Sequence, residues 1–307
     1  MPTTDAAPPP AAWYTDPDAF MRERRHLFAD AWQMLARADA LKAPGDYVCN
    51  NLAGLAVFVM RDERGGLGAF SNVCRHQKLP VLDAGAGHCA LLRCRYHGWT
   101  YHFDGSFKEA PPKYAPADPA NAENNLQPVR LAEWRGFLFV TAGAAAPDLA
   151  TETAPLEAAL AARLAAPLAA AGEIVTDLQC NWKIAVERFL APGGTGEGDG
   201  EGAVRLWHFP SLMLELHPSA LLAHQLVART HERSRIVTHV LVADPAAGAA
   251  LMETARTARI ADKAACEVLQ AKAAAGGPTD TEAAAPGSAL AAFHARVRAA
   301  HAKAESA

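Results

Sequence analysis

Two mixed pairs of metal-binding side chains constrain this chain more than any other feature. Cys74-Arg75-His76 is followed, after seventeen residues, by Cys94-Arg95-Tyr96-His97-Gly98-Trp99. Two loops that each carry a Cys and a His must meet at one tip, and a small antiparallel β-domain provides such a tip. Two thiolates on one iron and two imidazoles on the other make a [2Fe–2S] centre whose neutral ligands raise its potential above that of an all-cysteine cluster. Tetrahedral zinc also accepts two Cys and two His. Zinc fingers, however, place Cys with Cys and His with His, whereas each pair here is mixed. A lone Cys is ordinarily a small buried hydrophobe, so the weight rests on Cys74, His76, Cys94 and His97 together. His88 and Cys89 fall between the pairs and outside the pattern, and read as loop and packing residues.

The rest of the chain reads as α+β. Residues 17–41 place Phe20, Leu27, Phe28, Trp32 and Leu35 at helical spacing behind Asp16-Pro17, which predicts a helix with a cap and first turn. From Gly45 to about Val140 the pattern changes to short apolar runs broken by Gly and Pro, such as residues 55–60 and 136–140, which read as strands. The Ala/Leu-rich stretch 147–172 contains a predicted helix. Residues 174–183 then run from a strand into a helix start at Asn181, a good cap. Strands are predicted at 212–216, 220–227 and 236–242, and helices at 250–272 and 289–304. A low-complexity Ala/Gly/Pro/Thr loop covers 273–287.

Charge and cysteine usage exclude several classes. A net charge of −4 offers no basic face for nucleic acid. No apolar run reaches membrane-spanning length, and the Pro/Ala-rich, acidic start lacks the charged-then-apolar order of a signal segment. Six cysteines (49, 74, 89, 94, 180 and 266), two of them committed to a cluster, make no disulfide framework. Thiolate ligands favour a reducing compartment, so the expected location is the cytoplasm.

On these residues the chain resembles the oxygenase-component large (alpha) subunits of Rieske non-haem iron oxygenases. Phe70-Ser71-Asn72-Val73-Cys74-Arg75-His76 is similar to the family's first ligand loop, and Cys94 through Tyr101 with Asp104-Gly105 to its second. Tyr14-Thr15-Asp16-Pro17 through Trp32 resembles the N-terminal helix, Pro44-Gly45-Asp46-Tyr47 the entry to the cluster domain, and Ala292-Phe293-His294-Ala295 the last helix. The resemblance implies an N-terminal helical segment (1–44) packed on the last domain, a Rieske [2Fe–2S] domain (45–146), and a helix-grip catalytic-type domain (147–307). It implies electrons from a reductase or ferredoxin and a trimeric ring in which one subunit's cluster serves its neighbour's iron. That mononuclear Fe(II) needs two His and one carboxylate, with positions left open.

Here the chain departs from the family. Asn181-Trp182-Lys183 opens the helix that leads to the iron histidines, but residues 191–202 become a Gly-rich loop, and no His occurs between His102 and His208. The paired iron histidines and the bridging acidic residue are missing. Asp262, in Ile260-Ala261-Asp262-Lys263, resembles the iron carboxylate, and reads equally as a solvated Asp on an amphipathic helix. His208, His217 and His224 follow the gap without falling on family ligand positions, and whether they rebuild an iron site stays open at this point. The glycine run lacks the Lys-Ser/Thr of a phosphate loop and carries three acidic residues, so it reads as a surface linker. Arg75, beside a ligand, reads as a docking contact for an acidic surface or as a solvated charge.

The favoured expectation is a cluster-bearing subunit without its own mononuclear Fe(II). It would accept electrons from a reductase or ferredoxin and pass them to an intact homologous subunit in a hetero-oligomer. One alternative is a self-sufficient oxygenase with a rearranged iron site, performing hydroxylation or oxidative demethylation; another is a stand-alone Rieske electron-transfer protein. The C-terminal helix is similar to that of family members acting on quaternary ammonium compounds.

Overall fold

Asp46–Leu52 pairs antiparallel with Leu55–Arg61 across Ala53-Gly54, whose φ angles are +48° and +100°. Positive φ at both central residues gives the two-residue turn whose twist matches the flanking strands, and Gly adopts it at no steric cost. The Asn51 carboxamide oxygen accepts from the Gly54 N–H at 2.7 Å and closes the turn. Arg135-Gly136, at +50° and +77°, makes the same turn between Arg130–Trp134 and Phe137–Thr141.

The structure, a computed structural model, describes residues 7–164, 167–191, 203–277, 284–285 and 287–305. It divides into two compact units, one spanning Trp32–Ala146, the other made of residues up to 31 together with those from 147 onward. Within Trp32–Ala146 the strands are β1 (Gln33–Arg37), β2 (Asp46–Leu52), β3 (Leu55–Arg61), β4 (Leu67–Ser71), β5 (Gly85–His88), β6 (Leu92–Arg93), β7 (Thr100–Tyr101), β8 (Phe107–Glu109), β9 (Arg130–Trp134) and β10 (Phe137–Thr141). They form antiparallel sheets in the orders β4-β3-β2-β5, β1-β10-β9 and β6-β7-β8. Phe58, Met60, Phe70, Leu92, Trp99 and Tyr101 are buried together beneath the ligand loops. Each such side chain contributes roughly 1.5–3 kcal/mol by leaving water.

The helix expected over 17–41 is shorter. α1 (Pro17–Glu23) is capped by Asp16, which accepts from the Asp18 and Ala19 N–H groups, and it continues as a wider turn over Arg24–Phe28. Residues 33–37 leave the helical path to form β1, paired with β10. Pairing of a continuously buried run with another strand overrides apolar spacing that suits either element. Residues 32–44 therefore group with the cluster-bearing unit.

The other unit carries β11 (Ala169–Leu178), β12 (Val204–His208), β13 (Leu212–His217), β14 (Ala220–Thr230) and β15 (Arg233–Val242) in an antiparallel sheet ordered β11-β15-β14-β13-β12. Its further helices are α2 (Leu149–Ala161), α3 (Trp182–Leu190), α4 (Gly248–Ala274) and α5 (Ala289–Glu305). Most of the predicted elements are present, and β12 is an addition. The Gly-rich loop at 191–202 lies, apart from Ala191, outside the described residues, as does part of the loop at 273–287. Among the described residues no helix is long and apolar enough to cross a membrane.

Two helices of this unit bury charge. α3, capped by Asn181, is buried on nearly every face, and its Lys183 and Glu187 lie one turn apart in the interior. Lys183 Nζ sits 2.6 Å from Glu23 Oε1, Trp182 Nε1 donates to Glu23 at 2.7 Å, and His301 lies 3.2 Å from the same carboxylate. The Tyr14 hydroxyl donates to Glu187, which also meets His294 at 3.0 Å. These bonds tie the N-terminal segment to α3 and α5, and Trp13 stacks on His301 with centroids 3.6 Å apart. On α4 the buried stripe runs Ala255, Arg259, Asp262, Cys266, Gln270, Ala273. An inward helix face is ordinarily apolar, so charges at Arg259 and Asp262 mark a place where packing alone did not set the residues.

Candidate functional site

The two ligand loops close in the same way. The Cys74 N–H donates to the Leu79 carbonyl and the Lys78 N–H to the Cys74 carbonyl; the Cys94 N–H donates to Trp99 and the Gly98 N–H to Cys94. The fifth residue of each loop is left-handed, Lys78 at +61° and Gly98 at +72°. A Cβ on Gly98 would come within 2.9 Å of the Arg93 guanidinium and 3.0 Å of Pro111, so the second loop needs glycine for space as well as for φ.

This closure turns Cys74 and Cys94 inward, both 2% exposed, with the two thiols close enough to interact. The His76 and His97 rings lie 4.8 Å apart, nearly perpendicular. Trp99 stacks on His76 at 5.3 Å, and Tyr114 packs on both imidazoles at 5.6 and 4.7 Å. Trp99 Nε1 donates to the Tyr114 carbonyl at 2.7 Å and holds that wall in place. His76 Nδ1 is buried without a hydrogen-bond partner among the described residues. Such an orphaned atom is costly, and a metal bond would satisfy it.

Two adjacent thiols beside two adjacent imidazoles suit two irons with two protein ligands each. The four residues fit a [2Fe–2S] cluster better than the zinc alternative.

The sequence reading missed the residues that surround these ligands. The Tyr101 hydroxyl lies 3.2 Å from Cys74 Sγ and accepts from the Arg75 N–H at 3.1 Å. Burial, then the contact with Cys74, pushes the phenol well above its usual range, so it stays protonated and donates to a thiolate. Burial likewise pushes the free Cys74 thiol up; a bound metal reverses this by taking the thiolate. Donors to a cluster sulfur stabilise the reduced state. Tyr101→Phe is therefore expected to lower the midpoint potential by tens of millivolts, on the scale of about 1 kcal/mol for one hydrogen bond, read by spectroelectrochemical titration. An unchanged potential would deny Tyr101 this role. Arg75 Nε donates to the Glu123 carbonyl at 2.8 Å and staples the first ligand loop. His88, the other histidine near the pattern, pairs with Asp46 at 2.9 Å.

Asp262 lies in the other unit. Its carboxylate is clamped by Arg188 Nε at 3.2 Å and Arg259 Nη2 at 2.6 Å, and it is only 6% exposed, which corrects the reading of a solvated surface Asp. Burial pushes its carboxyl up, against the pull of both guanidiniums. The sheet register separates the three later histidines. His208 pairs with Leu212, whereas His224 pairs with Met213, the next residue along β13, so His208 and His224 face opposite sides of the sheet. His217 shares the His224 face but lies four residues along β13 from the His224 partner, about 13 Å away. No two of them can meet on one ion. His208 Nε2 instead lies 3.2 Å from Glu152, and His224 Nδ1 meets the Thr238 hydroxyl at 2.9 Å.

His224 is fully buried, and burial, followed by the Arg259 charge, holds its imidazole below the usual 6.5. The unfolded chain takes up that proton more readily. Stability of this unit is thus full above about pH 6.5 and falls as pH drops below it. Glu215, also held low, against burial, by His224 and Arg259, adds a loss in a more acidic window, below about 4.5. The urea midpoint should fall between about pH 7.5 and 5.5, and fall less in His224→Gln; equal slopes would remove His224 as the cause.

Residues 31–127 match the Rieske [2Fe-2S] domain. The chain is 31% identical over 195 residues to the chloroplastic choline monooxygenase of Beta vulgaris, covering 62% of this chain and 44% of that protein. It is 30% identical over 206 residues to the carnitine monooxygenase oxygenase subunit of Escherichia coli strain K12, covering 65% and 55%. It is 32% identical over 184 residues to the chlorobenzene dioxygenase alpha subunit of Cupriavidus sp. strain PS12, covering 57% and 40%. The matched part of the chain thus spans about half, or less, of each relative's length. Among solved structures, a quaternary ammonium Rieske monooxygenase described with inter-subunit electron transfer superposes with a TM-score of 0.79 at 20% identity, over 95% of this chain and 94% of that one. Naphthalene 1,2-dioxygenase superposes at 0.66 and 18%, over 78% and 73%. These likenesses in shape bear out the expected α+β architecture.

Proposed function

This chain belongs to the family of Rieske oxygenase alpha subunits, and we propose that it acts there as an electron-delivering subunit. It accepts electrons from a reductase or ferredoxin on a [2Fe–2S] cluster held by Cys74, His76, Cys94 and His97. It passes them to the mononuclear iron of an intact homologous subunit in a hetero-oligomeric ring. Bound there, the cluster supplies one-electron transfer at a potential raised by its two imidazole ligands. The chain's own residues keep the thiolates dry, donate a hydrogen bond to Cys74 through Tyr101, and wall the imidazoles with Trp99 and Tyr114.

The observation that carries this reading is the double clamp on Asp262. The one family carboxylate retained in the sequence is taken by Arg188 and Arg259, while the stretch after α3 holds no histidine. A helix-grip unit kept without a fitting iron site suits a subunit that supports its neighbours, and a stand-alone electron carrier would have no use for it. Choline and carnitine monooxygenases among the relatives make a quaternary ammonium compound the first substrate to offer the assembled pair. The reducing cytoplasm suits the two thiolate ligands.

The test is iron counting followed by electron transfer. The purified chain should hold two irons, both in the cluster. After chemical reduction it should re-oxidise at an accelerated rate only when an intact homologous subunit and O₂ are both present. About three irons per chain, or turnover of substrate by this chain with a reductase alone, would support the rearranged-site oxygenase instead.

A further inference from the structure

We infer that the Arg259 guanidinium is the resident cation of the helix-grip interior, held between Glu215 and Asp262 where a divalent metal would otherwise bind. The inference rests on the reading above that this unit carries no iron of its own, and gives that reading a physical cause.

A single nitrogen, Arg259 Nη2, lies 2.6 Å from Asp262 Oδ2 and 3.6 Å from Glu215 Oε1. His224 Nε2 lies 3.5 Å from the same Glu215 oxygen. Two carboxylates and an imidazole, from α4, β13 and β14, are donors of the kind a divalent ion takes, but with Arg259 between them no three converge on one point among the described residues. A guanidinium sits among them. Arg259, Asp262, Glu215 and His224 are 5%, 6%, 4% and 0% exposed, so the arrangement is interior and removed from solvent screening.

Charge closes without a metal. The Arg259 and Arg188 guanidiniums bring two positive charges to the two carboxyl groups of Asp262 and Glu215. A dication could enter only by expelling Arg259. The remaining cavity between Arg188, Phe189, Met213, Arg259 and Asp262 is about 20 Å³, room for roughly one water.

The hydrogen bonding also fits a charge-filling role. Arg259 Nε, Glu215 Oε1 and His224 Nε2 have no hydrogen-bond partner among the described residues. The guanidinium is therefore held by charge and one close contact to Asp262, without the two-pronged fork typical of an arginine–carboxylate pair. Arg188, reaching Asp262 from α3, adds a second clamp on the opposite oxygen.

The test uses the full-length, cluster-loaded chain with Co²⁺ as the probe. Wild type is expected to bind no Co²⁺ and to show no change in melting temperature with it. Arg259→Ala leaves Glu215 and Asp262 facing one another beside His224. Its melting temperature should fall by roughly 5–10 °C. Co²⁺ should restore most of that loss while binding once per chain, with a visible ligand-field spectrum that His224→Gln abolishes in the same background. Should Arg259→Ala not fold, the pair Arg259→Met and Arg259→Met/Glu215→Gln serves instead, since Asp262 keeps Arg188 and Glu215 is the carboxylate left without a cation. Removing the orphaned carboxylate should restore stability if charge is what Arg259 supplies. Uptake of Co²⁺ by wild type, an Arg259→Ala chain that is neither destabilised nor metal-responsive, or a double variant no better than Arg259→Met would each overturn the inference. A wild type that delivers electrons but whose Arg259→Ala variant ignores Co²⁺ would fail this inference alone. A cobalt-binding variant of a wild type that delivers none would fail the functional reading alone.

Discussion

A His97→Ala variant loses the visible [2Fe–2S] spectrum and retains fewer than the two irons of a full cluster. The imidazole contributes one of only two protein ligands to its iron, and among the described residues the rings packed on it offer no replacement. Tyr114, packed at 4.7 Å, is a phenol, and His76 is already used. The effect is complete loss. His88→Ala serves as the control, because His88 pairs with Asp46 at the end of β5 and stands outside the ligand set. A His97→Ala protein with an unchanged spectrum, or a His88→Ala protein without one, would remove the ligand assignment. Absorption and iron content of the purified variants decide it.

The second large effect concerns folding. Burial opposes ionisation of Glu23, but the Lys183 ammonium and hydrogen bonds from His301, Lys183 and Trp182 outweigh it and hold the carboxyl below its usual range. Lys183→Met leaves that carboxylate buried without its counter-charge, a change that costs about 3–5 kcal/mol. Lys183→Met/Glu23→Gln should recover much of the loss, since the uncompensated charge goes with it. The pH dependence carries the sign. In wild type the Glu23 contribution is present above its unfolded value, near 4.5, and is lost as pH falls. In Lys183→Met burial is opposed only by the His301 and Trp182 hydrogen bonds, so the carboxyl rises relative to wild type and the variant's deficit shrinks on acidification. Chemical denaturation near pH 7 and near pH 5 reads both; a deficit that stays constant between them would assign the effect to packing.

The ligand set was legible in the sequence because both pairs lie within short loops, where spacing alone fixes which side chains can share a centre. Trp99 and Tyr101 were visible in the same motif, but their tasks depend on ring placement against His76 and on a bond to Cys74 across the loops. Tyr114 carries no signal of its own, since the Trp99 bond that positions it spans an irregular stretch. Arg259 stands three residues before Asp262 on one helix, a spacing that suggests an ion pair. Glu215 and Arg188 come from other elements, and their convergence is set by tertiary register. The helix over 17–41 failed for a related reason: Trp32, Met34, Leu35 and Ala36 are buried in succession, and such a run belongs to whichever partner pairs with it. The sheet register also resolved the three later histidines, because strand alternation separates His208 from His224 in a way that sequence distance does not reveal.

One connection described above bears on synthesis. Trp32–Ala146 is inserted between the two parts of the other unit, and Glu23 meets His301 across a sequence separation of 278 residues. At about 5–20 residues per second on the ribosome, the N-terminal segment waits roughly 15–60 s for that partner, whereas both ligand loops emerge much earlier. Cluster assembly enzymes could thus meet a folded acceptor on a nascent chain whose first helix still has nowhere to dock. Folding of the cluster-bearing unit and completion of the other unit become separable events during translation.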